Sequence, residues 1–232
     1  MDNIYNNGTY LENNPSWHVE DSPWKAANIL KMIRNNNIDP NLVCEIGCGA
    51  GEILIHLSKR LGQHVIFHGY EISKQAYDLC VQTNNDRVTY FLKDMLSSQD
   101  RDYYDLILII DLIEHIKDYY GFIENIKSKG KYKIFHIPLD ISARAIMHLA
   151  TINRVRTSVG HIHYFIKDTA LASLRDSGYN IIDYFYTYKP IQLKHTSIKS
   201  YLAKFPKKLL YMLNDDFFVR LLGGASLMVL AE

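Results

Sequence analysis

Residues 43–52 have the sequence VCEIGCGAGE, and this stretch decides the fold of the chain. A short apolar run ends in Glu45 and passes into a loop that contains Gly47, Gly49 and Gly51. Glycine permits a sharp backbone turn and lets a ligand approach the backbone closely. The stretch therefore predicts a strand, a loop that can cradle a nucleotide, and a helix that begins at Glu52.

The spacing of the glycines argues against a dinucleotide site. The dinucleotide fingerprint has glycines at its first, third and sixth positions. Counted from Gly47, the sixth position is Glu52, and Gly51 comes one residue too early. Glu45 and Glu52 would also repel a pyrophosphate. An NAD-linked oxidoreductase is therefore disfavoured.

Bulk composition is that of one globular domain. The 232 residues carry a net charge of +1, which gives no support for binding DNA or bulk nucleic acid. The three cysteines form no C-x-x-C pair, so we expect reduced, buried thiols. No apolar run is long enough to cross a bilayer, and residues 1–14 lack the apolar core of a signal peptide. A cytoplasmic protein is the expectation.

Alternating strands and helices run through the first two thirds of the chain. The predicted strands are 42–46, 64–70, 88–92, 105–110 and 132–137. The predicted helices are 24–35, 52–61, 73–81 and 112–126, with Ser73 as a cap. This alternation predicts a parallel sheet covered by helices on both faces.

The ends of the chain depart from this alternation. Residues 1–22 look irregular but contain Tyr5, Tyr10, Trp17 and His18, so we expect them to form a lid. A helix is predicted near 143–151, another over 167–177, a strand over 180–188, two helices within 197–222 and a last strand over 225–231. We expect a single domain over 1–232, in which 189–223 forms a helical insertion or cap.

The motif E-x-G-x-G-x-G at Glu45 to Gly51 resembles motif I of the class I methyltransferases that use S-adenosylmethionine. That cofactor is cationic at sulfur and has no phosphate, so it suits acidic surroundings. The resemblance implies a Rossmann-like α/β fold: a seven-stranded, mostly parallel sheet whose antiparallel last strand lies beside strand 5, with a helical insertion before that strand. It also implies S-adenosylhomocysteine as a product.

Further cofactor-binding residues follow from the order of the acidic positions. Glu71 lies 20 residues after Gly51 at a strand end, where a carboxylate can accept hydrogen bonds from ribose hydroxyls. Ile72 would then face the adenine. The resemblance implies that Asp94 accepts from the adenine amino group, that the Met95 amide contacts the ring, and that Asp111 contacts the methionine end.

A second polar group is predicted on the acceptor side. If a helix begins after Asp111, Glu114 and His115 lie on one of its faces with Asp111. His161 and His163 are two apart on an extended segment and point to the same side. His115, His163, His161 and Glu114 are the candidate catalytic residues, with His136 as a further candidate.

Two chemistries remain open for this group. A neutral histidine can take the proton of an acceptor hydroxyl, or a divalent cation (Mg, Mn, Fe or Zn) can lower the pKa of that hydroxyl. The D-x-x-E-H motif and the later H-x-F element resemble ubiquinone-pathway O-methyltransferases and the enzymes that methylate the terminal 2′-hydroxyl of small RNAs. That resemblance implies metal ligation by Asp111, Glu114, His115 and His163.

A further resemblance concerns the acceptor of the methyl group. D-x-x-E-H, G-H-x-H-Y-F and G-G-x-S-L together look like bacterial methyltransferases of surface-polysaccharide biosynthesis. They imply O-methylation of a sugar, a nucleotide-activated sugar or a related capsule precursor. Terminal ribose methylation of RNA and a non-catalytic cofactor-binding partner protein are the alternatives. The basic, amphipathic stretch 197–213 suits a membrane surface, a pocket cover or a homodimer face.

Overall fold

A seven-stranded sheet forms the centre of the computed structural model, which describes residues 12, 16–17, 19–97, 103–148, 150–188 and 214–232. The strands are β1 (Leu42–Ile46), β2 (Ile66–Glu71), β3 (Val88–Leu92), β4 (Tyr104–Ile110), β5 (Gly130–Pro138), β6 (Ile181–Thr187) and β7 (Ser226–Ala231). Their order is β3-β2-β1-β4-β5-β7-β6. β7 is antiparallel to β5 and β6, whereas the first five strands pair in parallel. The predicted Rossmann-like sheet is confirmed, including the last strand beside β5.

The sheet is buried on both faces, as the central strand β4 shows. Leu106 and Leu108 belong to the apolar cluster on one face, and Ile107 and Ile109 to the cluster on the other. All four side chains are at most 1% exposed. Alternate residues of a strand point to opposite faces, so a continuous apolar run is what a doubly covered strand requires.

Helices cover both faces. They are α1 (Ser22–Asn35), α2 (Glu52–Ser58), α3 (Lys74–Cys80), α4 (Tyr119–Lys127), α5 (Ala143–Met147), α6 (Ala150–Ser158), α7 (Lys167–Asp176) and α8 (Asp215–Leu222). Apolar residues of α1 and α2 pack in one cluster, and those of α4 and α7 pack in the other. Ser73 caps α3 as predicted, because its Oγ accepts from the Ala76 amide. All three cysteines are free thiols and buried.

The segment after β4 corrects the sequence interpretation. The helix predicted over 112–126 is instead a 3₁₀ turn, Ile113–His115, followed by α4. Ile116 is extended, and the side chain of Asp118 accepts from the Gly121 amide at 3.0 Å, so the helix begins after Asp118. Glu114 and His115 therefore do not share a helix face with Asp111, and the prediction of a common helix face was wrong.

Two further segments differ from the expectation or lie outside the described residues. The single helix predicted near 143–151 is two helices, α5 and α6. Of the helical pair predicted within 197–222, α8 is described, whereas 189–213 is outside the described residues, as is most of the predicted lid, including Tyr5, Tyr10 and His18. None of the helices described is both long and apolar enough to cross a membrane. The single domain, the lid, a cytoplasmic location and a homodimer stay predictions.

Candidate active site at the carboxyl edge of the sheet

A cavity of about 1100 Å³ opens at the carboxyl ends of β1 to β4. β1 lies between β2 and β4 in the sheet, so β2 and β3 lie on one side of it and β4 and β5 on the other. Ligands bind in open α/β folds at the point where the strand order reverses in this way. The predicted site residues that line the cavity are Glu45, Gly47, Gly49, Gly51, Glu71, Ile72, Asp94, Met95, Asp111, His115 and His161. The predicted cofactor-binding residues and two of the predicted catalytic histidines thus line one cavity.

The glycine loop requires glycine for two reasons. Gly47, Gly49 and Gly51 all have positive φ, at 70°, 54° and 80°. A Cβ on Gly51 would also lie 2.6 Å from the Tyr90 ring, and one on Gly47 would lie 2.9 Å from Leu112 Cδ1. The loop therefore presents bare backbone to the cavity.

The carboxylate of Glu71 is fixed by three backbone amides. Its Oε2 accepts from the Gly49 amide at 2.9 Å, and its Oε1 accepts from the amides of Ile72 and Ser73 at 2.8 and 2.7 Å. Burial raises the pKa of Glu71, while these three hydrogen bonds oppose the rise. Oε1 already accepts two of these bonds, but Oε2 accepts only one, so Oε2 can still accept from a ligand in the cavity.

Glu45 is a buried carboxyl group at the floor of the cavity. It is 2% exposed, and its Oε2 has no hydrogen-bond partner among the described residues. Burial raises its pKa to about 8, partly opposed by the charge of Lys25. A cationic ligand group placed nearby would favour the ionised form.

Lys25, Asp111 and His136 form a chain of polar contacts at the end of β4. Lys25 Nζ lies 2.7 Å from Asp111 Oδ2, and His136 Nδ1 lies 2.5 Å from Asp111 Oδ1. His136 Nε2 contacts Thr187 Oγ1 at 2.8 Å. Burial acts to raise the pKa of Asp111, but His136 and Lys25 lower it well below its ordinary value. Asp111 is thus an ionised group committed to two partners.

Glu114, His115 and His161 form a separate cluster. Glu114 is fully buried, and neither of its oxygens has a hydrogen-bond partner within the part of the chain that the structure describes. The Nε2 atoms of His115 and His161 lie 3.8 and 3.9 Å from Glu114 Oε1. Burial, followed by the charge of Asp111, raises the pKa of Glu114 well above its ordinary value.

The other ring nitrogen of each histidine is anchored. His115 Nδ1 lies 3.1 Å from the carbonyl of Gly160, and His161 Nδ1 lies 2.7 Å from Asp140 Oδ2. Both Nε2 atoms are thereby aimed at Glu114. Burial, followed by the charge of His161, lowers the pKa of His115 to about 4, so His115 is neutral near pH 7. Candidate metal-ligand atoms of these three residues lie within 4.8 Å of one another.

His163 is not part of this cluster. Its Nε2 lies 2.9 Å from the carbonyl of Ile116 and 3.2 Å from that of Lys117, and its ring packs against Tyr119. Asp111 is likewise held by Lys25 and His136. The metal set predicted from sequence is therefore not assembled as a group: Glu114 and His115 stay together, and His161 takes the third place. The roles of Lys25 and Asp140 were missed, since neither lies in a motif.

The fold and this cavity define a class I S-adenosylmethionine-dependent methyltransferase. The family described as "Methyltransferase domain" matches residues 21–184, more than half of the chain, and the protein belongs to that family. No curated protein sequence matches it significantly.

Solved structures share the fold. Magnesium protoporphyrin IX methyltransferase from Synechocystis PCC 6803, with bound S-adenosylhomocysteine, is 16% identical at a TM-score of 0.59 and covers 90% of this chain and 82% of its own. The N-methyltransferase NodS from Bradyrhizobium japonicum WM9 is 15% identical at a TM-score of 0.60, with coverages of 96% and 94%. StiE O-MT is 17% identical at a TM-score of 0.54, with coverages of 89% and 72%. At these identities the likeness concerns the fold alone.

Proposed function

We propose that this methyltransferase transfers the methyl group of S-adenosylmethionine to a hydroxyl oxygen of a small polar acceptor. The acceptor we propose is a sugar, a nucleotide-activated sugar or a related surface-polysaccharide precursor. The observation that carries the proposal is the Glu114–His115–His161 cluster, whose histidines line the same cavity as the glycine loop. A hydroxyl must lose its proton during methylation, and this cluster offers groups that can receive it.

The cofactor is assigned to the acidic end of the cavity. The ribose hydroxyls would donate to Glu71, whose carboxylate is already oriented by the Gly49 amide. The adenine would lie against Ile72, which is 62% exposed in the cavity wall, with Asp94 and Met95 beside it. Glu45 and Asp111 would face the positive charges of the methionine end.

The cluster supports proton removal from the acceptor. In the transfer, the acceptor oxygen forms a bond to the methyl carbon as the carbon–sulfur bond breaks, and the hydroxyl proton leaves to a base. His115 is neutral near pH 7 because burial lowers its pKa, so its Nε2 can accept that proton. The bond from Nδ1 to Gly160 fixes the ring for this role.

The same residues fit a divalent cation. Glu114 offers buried oxygens without a hydrogen-bond partner among the described residues, and each histidine has its second nitrogen anchored, as metal-ligating histidines usually have. We propose Glu114, His115 and His161 as ligands for Mg, Mn, Fe or Zn. A bound cation would lower the pKa of the acceptor hydroxyl.

Two measurements test this proposal. Calorimetry should show binding of S-adenosylhomocysteine, and methyl transfer from labelled cofactor should be found within a panel of sugars and nucleotide sugars. His115→Ala should lower the rate by roughly 10²–10⁴ and leave cofactor affinity unchanged. His64→Ala is the control, since His64 is exposed and is not among the residues that line the cavity.

Chelation then separates the two chemistries. If a cation is required, EDTA should abolish transfer while cofactor binding survives, and re-addition of one metal should restore it. If His115 acts alone as a base, EDTA should have no effect. Failure of the cofactor to bind, or full activity of His115→Ala, would refute the proposal.

A further inference from the structure

The acceptor end of the cavity has a basic wall. Arg156 on α6 and Lys117, in the loop before α4, both line the cavity next to His115 and His161. Both basic side chains are exposed, and no salt bridge to either is found among the described residues. Within the part of the chain that the structure describes, they are therefore positive charges at the cavity without a counter-ion.

Three acidic residues of this region have other partners or are enclosed. Asp140 is paired with His161, and Glu114 is enclosed between the two histidines. Asp118 accepts from the Gly121 amide as the cap of α4. Between Asp140 and Asp168 the sequence contains no Asp or Glu at all. Most carboxyl groups that line the cavity thus belong to its cofactor end, whereas Arg156 and Lys117 lie at the acceptor end.

The two segments that carry these basic residues are tied together. The amides of Ile162 and His163 donate to the Glu114 carbonyl at 2.9 and 3.1 Å. His163 Nε2 reaches the Ile116 carbonyl, and His115 Nδ1 reaches the Gly160 carbonyl. This explains the position of His163: its ring connects the loop of Lys117 to the segment that follows α6.

We propose that Arg156 and Lys117 bind a phosphate group of the acceptor. Arginine presents parallel N–H donors that match phosphate oxygens, and lysine adds a point charge. The substrate class is then a phosphorylated sugar, in which the phosphate lies at the basic wall and a hydroxyl lies at His115 and His161. This inference rests on the proposed function, because it specifies the acceptor of the same site.

The phosphate has two possible sources, a sugar phosphate or a nucleoside diphosphate sugar. Pyrophosphate, glucose 1-phosphate and UDP serve as probes, each titrated by calorimetry into the free protein and into the protein saturated with S-adenosylhomocysteine. Tighter binding of UDP than of pyrophosphate would indicate the nucleotide source. Binding of glucose 1-phosphate that is as tight as that of UDP, or tighter, would indicate the sugar phosphate.

Matched variants make the test specific. Arg156→Gln and Lys117→Gln should each weaken probe binding by about tenfold or more, and affinity for S-adenosylhomocysteine should not change. Arg154→Gln is the control, because Arg154 lies on the same helix, is exposed and is not among the cavity-lining residues described.

The outcomes are separable from those of the proposed function. Failure of all three probes to bind, in both the free and the loaded protein, would overturn the inference even if the cofactor binds. Equal losses in Arg154→Gln and Arg156→Gln would also overturn it, since binding would then reflect general positive charge. Absence of cofactor binding would instead refute the proposed function, while the probe titration of the free protein would still decide the phosphate site.

Discussion

Lys25 Nζ lies 2.7 Å from Asp111 Oδ2, so an ion pair joins the first helix to the end of β4. Both residues line the cavity, and their side chains are only 15% and 27% exposed. Burial acts to lower the pKa of Lys25, but the charge and hydrogen bond of Asp111, together with the charges of Asp21 and Glu45, outweigh it, and the pKa is raised. The pair closes the cavity floor and keeps a carboxylate ionised beside the proposed methionine site.

Lys25→Met should destabilise the protein by about 1.5–3 kcal/mol, because Asp111 keeps its charge and loses one of its two charged or polar side-chain partners. Urea unfolding measures this. In Lys25→Met/Asp111→Asn part of the loss should be recovered, as expected for residues in direct contact. Strict additivity of the two substitutions would contradict the coupling.

Glu71→Ala should weaken binding of S-adenosylhomocysteine by about ten- to a hundredfold. The variant loses the proposed ribose acceptor and also the contact that fixes the Gly49 amide. Calorimetry checks the affinity. Glu124→Ala removes an exposed carboxyl group on α4 and serves as the control. Unchanged affinity in Glu71→Ala would remove the ribose assignment.

Gly51→Ala should cost more stability than Gly224→Ala, although both glycines have positive φ, at 80° and 82°. The left-handed region alone costs a residue with a side chain about 1–2 kcal/mol. At Gly224 none of the described residues lies within 4 Å of the added Cβ, whereas at Gly51 the Tyr90 ring lies 2.6 Å away. Tyr90 also donates to the Gly51 carbonyl at 2.7 Å.

Chemical unfolding of both variants tests this difference. Gly51→Ala should additionally weaken cofactor binding, because the loop must shift away from Tyr90. Gly224→Ala should bind the cofactor normally. Equal free energies of unfolding in the two variants would mean that the ring adapts to the methyl group without cost.

Glu45→Gln should flatten the pH dependence of stability. Burial raises the folded-state pKa of Glu45 to about 8, above its ordinary value of 4.5. Glu45 therefore binds its proton more tightly in the folded than in the unfolded protein. Its contribution to the free energy of unfolding is complete below pH 4.5 and is lost as pH rises through about 8. The resulting loss in the free energy of unfolding is about 1–4 kcal/mol.

The test measures the free energy of unfolding of the parent and of Glu45→Gln in steps from acid to alkaline pH. It shows whether the contribution of Glu45 to stability falls as pH rises. The parent should lose more stability than the variant across this range. Glu124→Gln, altered only at an exposed position, should follow the parent. A variant that loses as much stability as the parent would show that Glu45 ionises normally in the folded protein.

The local sequence by itself determined the sheet and the cofactor loop. The apolar run Leu106–Ile110 predicts a strand buried on both faces, because only such a strand has no polar side to expose. Gly47, Gly49 and Gly51 predict a loop that needs positive φ, and Glu71 follows at a fixed distance along the chain. These features depend on neighbours in sequence, which a pattern can reveal.

The acceptor side was decided by the tertiary structure. The sequence interpretation grouped Asp111, Glu114 and His115 by assuming one helix and added His163 from the H-x-F resemblance. The cap at Asp118 begins that helix later. Which of the two histidines faces Glu114 depends on contacts with distant residues: Asp140 holds His161, and the Ile116 carbonyl holds His163. Hydrogen bonds between segments more than 20 residues apart leave no periodic signal in the sequence, so only the folded chain could select His161.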